Sequence, residues 1–231
     1  MRRAKRFVRM AALAGICALF LWQAIGRTEP GAAAAGGGGE AEVLDSYEKK
    51  VALTFDDGPH PAYTETLLDG LAERGVKATF FLIGTNIEGR EDLVRRMYEE
   101  GHRIGSHTYS HVQLTTVEVS AACEEIEKTN ALIESITGER VLYIRPPFGS
   151  WTEELECAVD MTPVMWSVDP MDWKTQNTER VVTSVMNDVG DGDIILLHDV
   201  YPTSVEAALE IVDRLLAQGY TFVTVDEIIL D

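Results

Sequence analysis

The stretch VALTFDDGPH, residues 51–60, ends an apolar run with two adjacent aspartates. Its first half has the composition of a short buried strand. The following TETLLDGLAERG, residues 64–75, has the periodicity of an amphipathic helix that ends at Gly75. Asp-Asp-Gly also suits a tight turn, so the pair would serve as a simple connection between strand and helix. Whether the carboxylates do more depends on which side chains the other strands bring beside them.

Short β-rich runs alternate with amphipathic helical patterns along the rest of the chain. After VALTF, the strand candidates are KATFFLIG (77–84), HRIGS (102–106), VLYIR (141–145), PVMWSV (163–168), DIILL (193–197) and YTFVTV (220–225). Helical patterns separate most of these runs. Strands that alternate with helices in this way form parallel sheets, which are either open or closed into a barrel.

Reactive side chains follow five of the strand candidates. They are Asp56 with Asp57, His107, Arg145, Asp169 and His198. In a closed α/β barrel the carboxyl ends of all strands lie on one face, where active sites are found. An open sheet gathers only the few loops at its switch point. Convergence from five strands therefore predicts an α/β fold, a distorted (β/α) barrel with about seven parallel strands.

The charge of the chain limits its partners. The 231 residues carry a formal net charge of -18 at pH 7, although the first forty are rich in arginine and lysine. The remainder is therefore more acidic still, and such a surface repels the phosphates of nucleic acids and anionic lipids. We expect no nucleic-acid partner, and contact with a membrane only through the N-terminal segment.

The N-terminal segment has the pattern of a targeting sequence. Clustered basic residues in MRRAKRFVR (1–9) precede the apolar stretch MAALAGICALFLW (10–22). A short apolar stretch after a basic start is typical of secretory signals. We predict a signal peptide or N-terminal signal anchor over residues 1–27, an Ala/Gly-rich linker over 28–48 and a globular domain over 49–231. The protein would then be extracellular or held in the cell envelope.

The segment SHTYSH places His107 and His111 four residues apart. If it forms a helical turn, both imidazoles lie on one face within reach of one metal ion. Two histidines at this interval are also common as a polar surface pair. An aspartate from another strand end would complete a site with two histidines and one carboxylate. That ligand set leaves open positions on the metal, as hydrolytic zinc sites require.

Five motifs together resemble the polysaccharide deacetylase family, which is carbohydrate esterase family 4 with its NodB homology domain. They occur in the family's order and span nearly the whole chain after the leader: TFDDGP (54–59), SHTYSH (106–111), RPPFG (145–149), DPMDW (169–173) and LLHD (196–199). The resemblance makes residues 49–231 the catalytic domain.

The resemblance implies a metal centre and a base. Asp57, His107 and His111 would bind one divalent metal ion, which we expect to be Zn2+, with Co2+ or Mn2+ as alternatives. Asp56 would be the general base that takes a proton from the attacking water. Arg145 would lie beside Asp56 and tune it.

The resemblance also implies an acid and a substrate groove. His198 would be the general acid, oriented by Asp172, with Asp169 as the alternative. The backbone N–H of Phe148, where the family more often has tyrosine, would bind the oxyanion. The substrate-binding residues would be Trp173, Leu196 and Pro147.

These roles predict a hydrolase of linear amides that releases acetate from an N-acetylated glycan of the cell envelope. Its substrate would be the N-acetylglucosamine or N-acetylmuramic acid of peptidoglycan, or a chitin-like oligosaccharide. The alternative within the family is an O-acetyl esterase acting on xylan. A glycan-binding module without catalysis is disfavoured, because the proposed base, metal ligands and acid occur together.

Overall fold

The computed structural model describes residues 48–230. The predicted leader and nearly all of the predicted linker lie outside this range. Among the described residues, every helix is too short or too polar to span a bilayer.

Within residues 48–230, one parallel sheet of seven strands forms the centre of the domain. Its order is β5-β4-β3-β2-β1-β6, and β7 pairs with the first half of β1. All pairings are parallel. The strands are β1 Lys49–Asp56, β2 Thr79–Leu82, β3 Arg103–Ser106, β4 Tyr143–Ile144, β5 Thr162–Pro163, β6 Asp193–His198 and β7 Tyr220–Val223.

The sheet closes on itself beyond β5. Val168 forms a parallel bridge with Ile195 of β6, and Leu196 N donates to Val168 O at 2.9 Å. This bridge joins the two edges of the sheet. The predicted distorted barrel of about seven parallel strands is therefore confirmed.

The prediction of one continuous strand over 163–168 is wrong. The start of the segment pairs with β4 and its end pairs with β6, but the residues in between do not form a strand. There the carbonyls of Val164 and Met165 accept hydrogen bonds from the Arg145 guanidinium, at 3.1 and 3.2 Å. A side chain thus replaces a neighbouring strand as donor, and the barrel is distorted at this point.

Helices cover the outside of the sheet. Gly138, with a φ of 75°, ends the longest helix in the left-handed conformation that glycine adopts easily. The Asn177 side chain caps another helix, and Pro202 begins a third. The helices are α1 Tyr63–Glu73, α2 Gly84–Ile87, α3 Glu91–Glu99, α4 Val119–Thr137, α5 Glu153–Ala158, α6 Asp172–Thr175, α7 Thr178–Asp188, α8 Pro202–Ala217 and α9 Val225–Ile229.

Strand β1 runs through the core and is buried on both faces from Val51 onward. Its residues alternate between the two faces of the sheet. Val51, Leu53 and Phe55 belong to the main apolar cluster, which includes residues of α1 and α8. The other face carries Thr54 and then Asp56, so the alternation directs the acid into the interior of the barrel at its carboxyl end.

Candidate active site

A cleft of about 420 Å³ opens at the carboxyl ends of the strands. Asp56 pairs in register with His198 of β6, so these two strand ends are level. The cleft wall contains most of the residues that the sequence singled out: Asp56, Asp57, His107, His111, Phe148, Asp169, Trp173, Leu196 and His198.

Asp57, His107 and His111 form a compact group. The Nε2 atoms of both histidines lie 3.5 Å from Asp57 Oδ1, and the ligand atoms of the three residues all lie within 4.8 Å of one another. Asp57 Oδ1 is buried and takes part in no hydrogen bond within the described range 48–230. A buried carboxylate oxygen between two imidazoles needs a cation, so these residues fit a divalent metal ion.

The loop that carries the histidines does not form the helical turn that would place both imidazoles on one helix face. Thr108 and His111 have φ values of 66° and 59°, in the left-handed region. Residues other than glycine keep this conformation only when their surroundings hold it. The Glu125 carboxylate of α4 stabilises this loop, because it accepts hydrogen bonds from Ser110 N at 2.8 Å and from Ser110 Oγ at 2.9 Å. The two imidazoles meet through loop geometry instead of helical periodicity.

His107 is held in the state that a metal ligand requires. Its Nδ1 lies 2.6 Å from the Arg145 carbonyl oxygen. Since a carbonyl only accepts, Nδ1 carries the hydrogen and Nε2 keeps its lone pair for the site. Burial lowers the pKa of His107 despite the nearby carboxylates, which keeps the imidazole neutral.

Arg145 is fully buried beside Asp56. Its Nη1 donates to Asp56 Oδ1 at 2.9 Å and to Thr54 Oγ1 at 2.6 Å, and its guanidinium lies 4.3 Å from the centre of the Phe81 ring. Asp56 Oδ2 lies 3.8 Å from His107 Nε2. The candidate base is thus oriented by a cation and adjoins the candidate metal ligands.

His198 pairs with Asp172 at the start of α6. His198 Nδ1 lies 2.8 Å from Asp172 Oδ1, and His198 N donates to Oδ2 at 2.8 Å. Burial alone would lower the pKa of His198, but the bond to Asp172 and the nearby carboxylates outweigh it and raise the pKa to about 9. Asp169, the alternative partner, instead accepts a hydrogen bond from Met171 N at 2.8 Å.

The groove residues need one correction. Pro147 is buried and does not line the cleft, whereas its neighbour Pro146 does. Phe148 is 67% exposed, and its ring meets the His111 ring edge-on at 5.0 Å. Trp173 is about half exposed, whereas Leu196 is buried.

Sequence reasoning missed two aromatic residues of the cleft, Trp166 and Tyr201. Trp166 lies in the segment predicted as a strand, where an aromatic side chain is expected to be in the core. Tyr201 follows His198 by three residues, and its place in the same loop was the available signal.

Comparison with known proteins identifies the family. Residues 44–163 match the family model described as polysaccharide deacetylase. Peptidoglycan-N-acetylmuramic acid deacetylase PdaC of Bacillus subtilis is 43% identical over 187 residues, which are 81% of this chain and 40% of that protein. Peptidoglycan-N-acetylglucosamine deacetylase PgdA of Listeria monocytogenes is 38% identical over 180 residues, which are 78% of this chain and 39% of that protein. The chain thus spans about two fifths of the length of these two relatives.

Solved structures agree with the sequence matches. A structure of PdaC from B. subtilis superposes with a TM-score of 0.78 at 43% identity and covers 80% of this chain and 92% of that chain. A family 4 acetyl xylan esterase from Clostridium thermocellum, solved with a cobalt ion, superposes with a TM-score of 0.74 at 37% identity. It covers 78% of this chain and 90% of that chain. The chain belongs to the polysaccharide deacetylase family.

Proposed function

We propose that this protein is a metal-dependent hydrolase that removes N-acetyl groups from a glycan of the cell envelope and releases acetate. Peptidoglycan is the first candidate substrate, with N-acetylmuramic acid or N-acetylglucosamine as the sugar, and a chitin-like oligosaccharide is the second. The names of the two curated relatives support this choice. The acidic domain and the basic, apolar N-terminal segment are consistent with export.

One observation carries the proposal. A single cleft is lined by Asp56, by His198 and by the group of Asp57 with two histidines. Behind this wall, the buried Arg145 pairs with Asp56 and the buried Asp172 pairs with His198. An acetamide is a weak electrophile with a poor leaving group. Its hydrolysis therefore requires an activated water, a polarised carbonyl and a proton donor for the nitrogen in one place.

The site residues have separate roles in the reaction. Asp56 takes a proton from the water that attacks the acetamide carbon, and Arg145 holds the carboxylate in place for this transfer. His198 gives its proton to the departing nitrogen as the C–N bond breaks, and acetate and a free amine leave. The backbone N–H of Phe148 donates to the carbonyl oxygen as negative charge develops there.

Asp57, His107 and His111 would hold the metal ion. When bound, the ion supplies an acidified water and a polarised carbonyl oxygen. We propose zinc, because two imidazoles and one carboxylate are a usual zinc ligand set that leaves positions open for water and substrate. Cobalt and manganese are the alternatives.

Metal removal should abolish acetate release. The purified protein, incubated with N-acetylated peptidoglycan fragments or chitin oligosaccharides, is expected to release acetate. We expect this release to stop with a chelator and to return when zinc is added. Acetate that continues to form after complete metal removal would contradict the metal-dependent mechanism.

The alkaline limb of the pH profile should report on His198. The acid must be protonated, and its pKa is raised to about 9, so the rate should fall as pH rises through about 9. A bound cation would move this limb to lower pH. Replacing Asp172 with asparagine removes the main cause of the raised pKa and should shift the limb to lower pH by about one unit or more.

Asp169→Asn is the matched variant for this experiment. Because the Asp169 carboxylate bonds to Met171 N and not to His198, its replacement should leave the alkaline limb in place. A limb that moves with Asp169→Asn and stays with Asp172→Asn would reverse the assignment of the partner.

An O-acetyl esterase acting on xylan is the second candidate function. The structural similarity to the acetyl xylan esterase favours it. Esters need less help from the acid, because an alkoxide leaves more easily than an amide nitrogen. Acetate release from acetylated xylan, with none from any N-acetylated glycan, would establish this function over the first.

A further inference from the structure

Asp199 is a fully buried acid to which the mechanism above gives no role. It directly follows His198 at the end of β6. Its Oδ2 accepts a hydrogen bond from the Thr64 hydroxyl. Its Oδ1 is buried and has no hydrogen-bond partner in the described part of the chain. A buried carboxyl group that is half unpaired is costly, so its retention calls for a reason.

Thr64 connects this carboxyl group to the loop that follows the two aspartates. Thr64 is itself fully buried, and its Oγ1 accepts a hydrogen bond from His60 N at 2.7 Å. A hydroxyl has one hydrogen, and here it is directed at Asp199, so a lone pair is free for the His60 N–H. A continuous chain of hydrogen bonds therefore runs from Asp199 to the backbone three residues after Asp57.

Gly58 lies directly against the same carboxyl group. A Cβ at this position would lie 2.5 Å from both carboxyl oxygens of Asp199. The φ of Gly58 is outside the left-handed region, so the position needs glycine for space and not for conformation. The Gly58 carbonyl also accepts a hydrogen bond from Ile83 N at 3.1 Å, just after β2. Gly58 therefore contacts both Asp199 and this segment.

The conformation of Asp57 depends on this support. Its φ of 73° lies in the left-handed region, where an aspartate remains only if its neighbours hold it. Asn86 Nδ2 donates to the Asp57 carbonyl at 2.7 Å, and Gly58 is fixed as described above. The direction of the Asp57 carboxylate follows from this backbone. The contacts of Gly58 with Asp199 and Ile83 therefore determine the orientation of Asp57 Oδ1 relative to the two histidines.

We propose that Asp199 is a positioning residue that fixes the Asp57–Gly58 turn and so sets the affinity of the site for zinc. This inference rests on the proposed function, through zinc binding at Asp57. It gives Asp199 no part in proton transfer. Groups that orient a metal ligand typically change the affinity about 10–100-fold when they are removed. Asparagine has nearly the same shape as aspartate, and its amide oxygen can accept the hydrogen bond from the Thr64 hydroxyl, so it is a close substitute.

The test is a zinc titration of the metal-free protein, as the whole 231-residue chain, by calorimetry. Asp199→Ala should weaken zinc binding about 10–100-fold, whereas Asp199→Asn should stay within about threefold of the wild type. At saturating zinc, acetate release by Asp199→Ala should return close to the wild-type rate, because Asp199 does not touch the reacting atoms.

Val205→Ala is the control for a weakened fold. Val205 is a buried apolar residue of α8, and its replacement should lower the unfolding temperature without changing zinc affinity.

A double variant tests the contact itself. Gly58→Ala alone should weaken zinc binding, because its Cβ collides with the Asp199 carboxyl group. In Gly58→Ala combined with Asp199→Ala, that Cβ occupies the vacated space. The combined loss should therefore be smaller than the product of the two single losses.

The outcomes separate this inference from the proposed function. If the wild type binds zinc and Asp199→Ala binds it equally tightly, the positioning role is overturned and the proposed function stands. If the wild type binds neither zinc nor the alternative ions cobalt and manganese, both are overturned. If Asp199→Ala does not fold, unchanged zinc affinity in Gly58→Ala overturns the positioning role.

Discussion

Replacing Asp56 with asparagine is expected to reduce acetate release about 10³-fold while zinc binding persists, because positioned proton transfer contributes roughly 10²–10⁴-fold to such reactions. An amide accepts no proton at neutral pH, but its oxygen can still accept the hydrogen bond from Arg145 Nη1. Geometry is thus largely kept and the base is lost. Steady-state rates measured beside a zinc titration would separate the two properties.

Asp160→Asn is the matched control for this change. Asp160 is an exposed aspartate paired with Arg140 on the surface, so its replacement should leave the rate unchanged. Full activity in Asp56→Asn would remove Asp56 from the role of base. Loss of zinc binding in that variant would instead make Asp56 a ligand.

Replacing His107 with alanine is expected to have the other large effect, through loss of the metal ion. A bound metal ion contributes several kcal/mol of transition-state stabilisation, so we expect acetate release to fall by roughly 10³-fold or more. Zinc content after purification and the calorimetric affinity should fall together with the rate.

His102→Ala controls for damage to the fold. His102 is buried and accepts a hydrogen bond from Ala78 N at 3.0 Å, at the other end of the strand that leads to His107. Its loss should lower the unfolding temperature and leave the zinc affinity of the folded protein unchanged. Equal loss of zinc affinity in both variants would attribute the effect of His107→Ala to the fold.

The parallel barrel was predictable from the sequence because most of its strands have a strong local signal. Buried runs such as 51–55 are followed by helices with clear ends, and reactive residues at the carboxyl ends of these runs indicate one common face. The prediction of a strand over 163–168 failed because a side chain from outside this segment binds its backbone, and the periodicity of a sequence cannot reveal such a contact. The backbone there is bonded by the guanidinium of Arg145, which is distant in sequence.

The positions of the site residues were easier to predict than their local geometry. The spacing of His107 and His111 suggested a shared ligand site, and the structure brings both near Asp57, but by left-handed residues in place of a helical turn. The carboxylate of Glu125 that supports this loop comes from α4, and no local pattern indicates it. The contact of Gly58 with Asp199 could not be predicted either, since the two residues lie 141 positions apart in the sequence.

Arg145 joins two parts of the site that come from different strands. Its guanidinium binds Asp56 at the end of β1, and its carbonyl oxygen accepts from His107 just after β3. Because both contacts belong to one residue, we expect a displacement of the end of β4 to move the carboxylate and the imidazole together and to preserve their separation. Substrate binding that pushes on this wall of the cleft should shift the whole unit before it changes the spacing inside it.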